Sequence, residues 1–171
     1  MKTELKIDQT INTQMPNHFL KKGSWSKVNY DGNVVKIRQT FKNELTPFLK
    51  DSNAYGNIYF ARYFEWQGIC REMWFTECIY SNMFEMDGAF LTRAAHNDYV
   101  QEVLPFQKIY CELNINNLKK TCFDLLFKFF NEKSEIVSEG YQTVVYTDLA
   151  TKSIKKLPAD VIAKVKRYQI V

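Results

Sequence analysis

The stretch DSNAYGNIYFARYFEWQGICR, residues 51–71, sets Asp51, Asn53 and Asn57 ahead of Arg71, with Tyr59, Phe60, Tyr63, Phe64 and Trp66 between them. An arginine among rings cannot shed its proton and is costly to bury alone. Either a carboxylate meets it, with Asp51, Glu112 and Asp124 as candidates, or the rings line a cavity that receives something anionic. The turn before it admits two readings as well. Asp51 and Asn53 can cap the backbone while Gly56 supplies conformational freedom. The same geometry aims free N–H groups near Asn57 to Phe60 at one point, where they would polarise a carbonyl and hold a developing oxyanion.

The element that must carry these groups is a helix from Tyr59 to about Tyr80, a span without proline. With Phe60 at zero and about 100° per residue, Phe64, Phe75, Trp74, Tyr63 and Cys78 share a sector with Arg71 in its middle. Gln67 lies one turn before Arg71 and is within its reach. Glu65 and Glu72 fall on the polar arc.

Strand patterns surround this helix. Asp31-Gly32 between WSKVNY and NVVKIRQTF predicts a hairpin over 25–41 with a two-residue turn. Residues 44–50 read as a short strand that Pro47 confines to an edge or a bulge. Residues 89–100 follow as a weakly patterned strand. Residues 108–116 alternate with Ile109, Cys111, Leu113 and Ile115 inward, and 121–130 with Phe123, Leu125, Phe127 and Phe129 inward. A further strand covers 135–147, and Pro158 opens a last helix. The order predicts an α+β fold in which one long central helix packs on a curved antiparallel sheet of about five to six strands, the last four in a meander. Residues 1–43 read as an N-terminal extension and 44–171 as the domain.

The 171 residues suit one core, and the 46% hydrophobic and 25% charged composition excludes a disordered chain. A net charge of +4 gives little reason to expect nucleic acid and suits an acidic carrier protein or the phosphates of coenzyme A. Lysines gather only at Lys119-Lys120, Lys155-Lys156 and near the C-terminus. Four cysteines without zinc or redox spacing read as reduced core thiols, and no metal or cofactor is called for. No segment could span a bilayer, so a cytoplasmic address is expected.

The segment N-x-x-G-N-[IV]-Y-[FY]-x-x-Y-x-x-W-Q-G-x-C-R-E-M, met by Asn53, Gly56, Asn57, Tyr59, Phe60, Tyr63, Trp66, Gln67, Gly68, Cys70, Arg71, Glu72 and Met73, resembles the thioesterases of enediyne polyketide biosynthesis. These are hotdog-fold enzymes akin to the 4-hydroxybenzoyl-coenzyme A type. Tyr99 and Glu102 fit the related E-Y-x-x-E-L segment. The resemblance implies hydrolysis of a polyketide-type or 3-oxoacyl thioester on an acyl carrier protein, with decarboxylation of the β-keto acid as a sequel. Because position 53 holds an amide rather than an aspartate, water would attack directly. Asn53 would orient water or the thioester oxygen, Arg71 would stabilise negative charge, Tyr63 would donate a hydrogen bond, and the backbone N–H of Phe60 would complete the oxyanion site. Asn57, Tyr59, Phe64, Gln67 and Trp74 would contact substrate. It also implies a homodimer or homotetramer.

Two rivals remain. One is an acyl-coenzyme A thioesterase using Glu65 or Glu72 as base; the other is a hotdog protein that binds an acyl group without turnover. His18 and His96 lack the surroundings a dehydratase needs.

Overall fold

The computed structural model describes residues 25–28, 34–37, 39–80, 82 and 86–170, with side chains from Gln39 onward. Strands β1 (Trp25–Val28) and β2 (Val34–Ile37) pair antiparallel, Trp25 opposite Ile37. The Asp31-Gly32 turn and residues 1–24 lie outside the described residues.

The body of the molecule is a five-stranded antiparallel sheet in the order β3-β5-β6-β7-β4. Its strands are β3 (Phe41–Leu45), β4 (Gly88–Tyr99), β5 (Ile109–Asn116), β6 (Cys122–Phe130) and β7 (Ile136–Asp148). The edge strand expected over 44–50 thus starts earlier and stops before Pro47, which has no N–H to give a ladder. Beyond it Asp51 accepts the Phe48 N–H at 2.8 Å and closes a short 3₁₀ turn, Leu49–Asp51.

Only β5, β6 and β7 form a meander. β4 pairs with β7, Phe90 opposite Tyr146 and Asn97 opposite Gly140, and ends the sheet on the side away from β3. The link from Tyr99 to Ile109 must cross three strand spacings, roughly 14 Å, well within the reach of its length. Its bonds trace the crossing: Gln101 N–H to Val137 O at 3.1 Å, Ile58 N–H to Val103 O at 2.8 Å, Phe106 N–H to Pro47 O at 2.7 Å.

Helix α1 (Arg62–Trp74) continues into a wider π-helical turn, Phe75–Ile79. It starts three residues later than the pattern predicts because Ile58 and Tyr59 are tied as extended chain, Tyr59 N–H to Asp51 O at 2.9 Å. Under it the inward residues of β5 and β6, Ile109 to Ile115 and Phe123 to Phe129, are buried as their alternation predicts. Each such side chain contributes about 1.5–3 kcal/mol of transfer free energy. Helix α2 (Ala159–Val165), with Pro158 as its N-cap, closes the core through Val161 and Val165. All four cysteines are free thiols. Buried Cys111 is pushed well up by desolvation, while its hydrogen bond to Cys70 lowers the latter.

Candidate active site

The buried residues of α1 are Tyr63, Trp66, Gln67, Cys70 and Trp74. Their common direction lies about 60° from Phe60 on the helical wheel. Arg71 therefore stands at the margin of the buried face, where its side chain is 22% exposed. The sequence reading centred the sector on Phe60, which is itself 55% exposed, and left out Trp66 and Cys70.

At that margin Arg71 Nη1 donates to Thr92 Oγ1 of β4 at 2.7 Å and to Gln142 Oε1 of β7 at 3.0 Å. Neither partner is charged. Its one acid among the described residues is exposed Glu72, at 3.8 Å from Nη2. The acids proposed as internal partners are engaged elsewhere: Asp51 with Arg62, Glu112 with Lys42, and Asp124 with Thr143 and Asn117.

The guanidinium also orients a row of buried amides. Because Gln142 turns its oxygen to Arg71, its Nε2 faces Gln67 Oε1 at 3.3 Å. Gln67 Nε2 then donates to His96 O and to Asn97 Oδ1, each at 3.0 Å, and Ser138 Oγ shares that same Asn97 oxygen. Gln67 is fully buried, so each of these bonds matters: an unmet buried amide costs about 1–3 kcal/mol. Gly140 makes room for it. A Cβ there would lie 2.6 Å from Gln67 Nε2 and closer still to the His96 carbonyl. Gln67 thus reaches Arg71 through Gln142.

Beside Arg71 lies a cavity of about 240 Å³ lined by Phe75, Met86, Gly88, Ala89, Phe90 and Leu149, with Glu72 also at its wall. Phe75 and Phe90 stack there at 4.7 Å between ring centres.

The turn lies at the other end of α1. Asn53 N–H bonds Asn57 O at 2.9 Å, Gly56 N–H bonds Asn53 O at 3.0 Å, and Gly56 takes φ +86°, which suits glycine. Asn53 Oδ1 accepts the Tyr55 N–H at 2.8 Å, and no acceptor for its NH₂ group is found among the described residues. Asn57 Nδ2 donates to Glu102 Oε1 at 2.9 Å, while its buried Oδ1 has no partner among the described residues. No acceptor for the Phe60 N–H is found among the described residues, whereas its carbonyl accepts from Tyr99 at 3.1 Å. Tyr63 is buried against Tyr99 and Trp66. Burial above all, with the charges of Tyr99 and Glu102, pushes its phenol up to about 12. Tyr59 and Phe60 are exposed, their rings 4.6 Å apart, and Phe64 is half-buried.

The site residues thus form two groups. Asn53, Asn57, Tyr59, Phe60 and Tyr63 gather at the turn. Arg71 and Gln67 belong to the amide row. From Phe60 to Arg71 is about 16 Å along the helix axis, so one chain does not bring its turn and its arginine into a single pocket. Trp74 belongs to neither group: it is fully buried in the core against Phe123 and Tyr168. The sequence reading missed Thr92, Gln142, Asn97 and Ser138, although Gln142 and Ser138 are polar positions on the inward side of β7. It had Glu102 only as part of a resemblance.

Among the described residues no group of His, Cys, Asp and Glu could hold a metal, and no helix is long and apolar enough to cross a membrane.

Residues 47–165 match the sequence profile of the thioesterase-like superfamily. No curated protein matches. Among solved structures the chain is similar to the dynemicin thioesterase, studied for its polyene binding: 24% identity, TM-score 0.71, 78% of this chain and 99% of that one. It is also similar to a 1,4-dihydroxy-2-naphthoyl-coenzyme A thioesterase from Synechocystis, at 17% identity and TM-score 0.68, over 75% of this chain and 96% of that one. A Staphylococcus aureus protein in complex with coenzyme A gives 13% identity and TM-score 0.70, over 77% and 85% of the two chains.

Proposed function

This chain belongs to the thioesterase-like superfamily, a hotdog-fold thioester hydrolase, and on that premise we propose that it releases a polyketide-type or 3-oxoacyl group from an acyl carrier protein in the cytoplasm. Water forms a bond to the thioester carbonyl carbon, the carbonyl oxygen takes the negative charge, and the carbon–sulfur bond then breaks. The departing thiolate takes a proton from solvent, and the products are a thiol and a carboxylic acid. Phe60 N–H and the Asn53 NH₂ group face the oxyanion, and Tyr63, protonated through neutral pH, donates beside them. Arg71 binds the negative charge of the intermediate or of a β-keto carboxylate that then loses carbon dioxide.

The observation that carries this reading is a guanidinium held by two neutral acceptors beside a largely apolar cavity, its one acid among the described residues being exposed Glu72 at 3.8 Å. The 16 Å of helix between Phe60 and Arg71 makes a second copy part of the proposal. β4 ends the sheet, and Leu91 to His96 along it are exposed. Two copies paired antiparallel through β4, centred near Ala95, would set Thr92 of one beside Tyr99 of the other. Arg71 of one copy would then approach the turn of its neighbour, in a homodimer that further pairing could make a tetramer.

The test offers carrier protein loaded with 3-oxoacyl or saturated groups, and the matching coenzyme A thioesters, and measures free thiol. Release is expected from the loaded carrier. Binding without release from any thioester would instead make this an acyl-binding protein. The shared site has its own test. In a twofold dimer, co-refolded Asn53→Ala and Arg71→Ala chains should regain about a quarter of the parent rate through mixed dimers. No recovery would exclude the shared site.

One observation favours a second reading: Glu72 stands at the wall of the Arg71 cavity, where it could act as base on a coenzyme A thioester. Loss of activity in Glu72→Gln equal to that in Arg71→Ala would support it. Glu65 offers no such base, since it is paired with Arg62 and is not among the residues lining that cavity.

A further inference from the structure

The two basic pairs of the sequence are far apart in the chain yet adjoin in the fold. Leu157 N–H donates to Lys120 O at 2.9 Å, which sets Lys156 beside Lys119 and Lys120. Lys155 is already occupied, bonding Asp87 and lying near Asp148. Lys119, Lys120, Lys156 and Lys152 of the neighbouring turn are exposed, and none has a carboxylate within ion-pair distance among the described residues. Arg93, extruded where the β4–β7 register shifts between Thr92 and Ala94, is exposed and unpaired among the described residues as well. Arg93 and Lys119 line one hollow of about 340 Å³ on the outer face of the sheet, with Asn117, Thr143 and Asp124. Asp124 in the same hollow accepts from Thr143 and Asn117 and keeps its negative charge, so it offsets one of the cations and leaves the group net positive.

Four other lysines are paired, Lys42 with Glu112, Lys108 with Glu44, Lys128 with Glu139 and Lys164 with Asp160, and those without an ion pair among the described residues, such as Lys50 and Lys133, stand singly. Like charges left together repel and do nothing for the fold. They are also placed with respect to the site. Arg93 follows Thr92, which holds Arg71, and Leu149 of the Arg71 cavity precedes the turn that bears Lys152. Leu149 and Ile154 are exposed at this end, 46% and 65%.

We propose that this end of the sheet docks the acidic, partly apolar surface of the carrier protein that delivers the thioester. The proposal rests on the hydrolase reading and specifies its partner. The cations are spread over two loops and a bulge and do not converge on one point with backbone donors, which fits a protein face better than a single phosphate. Such a face mainly steers encounter, so its effect is strongest at low salt.

The experiment reverses Lys119, Lys120 and Lys156 together to Glu, with a Lys→Gln triple variant as the milder form, and compares one acyl group on carrier protein and on a pantetheine thioester. The expected result is a fall in kcat/KM of roughly 10-fold or more on the carrier substrate, carried by KM and lessened by salt. The rate on the pantetheine thioester stays unchanged. Equal loss on both substrates, or loss on neither, overturns the proposal. If the parent chain hydrolyses neither, the hydrolase reading fails, and docking is judged by the anisotropy of fluorescent carrier protein. Weaker binding to the charge-reversed chain supports docking, and unchanged binding overturns it. Duplex DNA bound more tightly than carrier protein, and lost with the same charges, also overturns it in favour of nucleic acid.

Discussion

The two ends of α1 supply binding groups in opposite ways. At the turn one of the proposed donors is backbone, the Phe60 N–H, for which no acceptor is found among the described residues, and it stands beside the Asn53 amide and the exposed rings of Tyr59 and Phe60. At the Arg71 end the group is one charged side chain whose position depends on Thr92 and Gln142, and through them on Gln67, Asn97 and Ser138. A backbone donor survives almost any side-chain change. A charge held by a row of neutral amides does not survive loss of the charge and tolerates loss of a neighbour only in part.

The sharpest way to break this contrast is Arg71→Ala. Loss of one donor to developing charge costs about 3–4 kcal/mol, so kcat should fall by roughly 10²–10³. Arg71→Lys should recover little, since an ammonium lacks the planar fork of a guanidinium. A variant within threefold of the parent in a steady-state thiol assay would remove Arg71 from the mechanism. Next comes Gln142→Leu, which strands the Arg71 Nη1 proton and Gln67 Oε1 together. About 1–3 kcal/mol of stability should go, with roughly a tenfold loss of kcat as the guanidinium loses its aim. Denaturant melts and kinetics on the same preparation separate the two effects. Phe60→Ala should change kcat by less than about threefold, because the donor assigned to that position is its amide.

Much of this arrangement was legible in the sequence, and the gaps have physical causes. Strict alternation at Ile109 to Ile115 and Phe123 to Phe129 marks strands with one buried face, and both are found so. β4 shows no such alternation because Leu91 to His96 are all exposed, and its place beside β7 is seen only in its pairing, which the link after Tyr99 is long enough to allow. Arg71 drew attention because a cation among rings needs an explanation. Its partners did not, because Thr92 and Gln142 are ordinary polar residues until the sheet turns them toward the helix. The separation of Arg71 from Asn53 is a matter of helix rise, which a wheel projected down the axis discards.

The smallest expected effect is on stability and concerns Tyr63, whose ring is buried beside the open turn that its hydroxyl is proposed to serve. Its burial favours the neutral phenol, so its folded value of about 12 lies above the ordinary 10 of an unfolded chain. The stability this contributes is fully present below pH 10 and is lost as pH rises from 10 to 12, because the unfolded chain releases the proton first. Tyr80 and Tyr99 are also raised by burial, so the parent alone is uninformative. The difference between the parent and Tyr63→Phe isolates the residue: it should be constant from pH 6 to 10, and the parent should lose ground above that. The pH–rate profile of the parent should show no inflection from Tyr63 below pH 10, since the phenol remains a donor throughout. An alkaline limb near pH 8 that disappears in Tyr63→Phe would mean that the ring is solvated in the working enzyme, and the contrast between an open turn and its closed neighbour would fail.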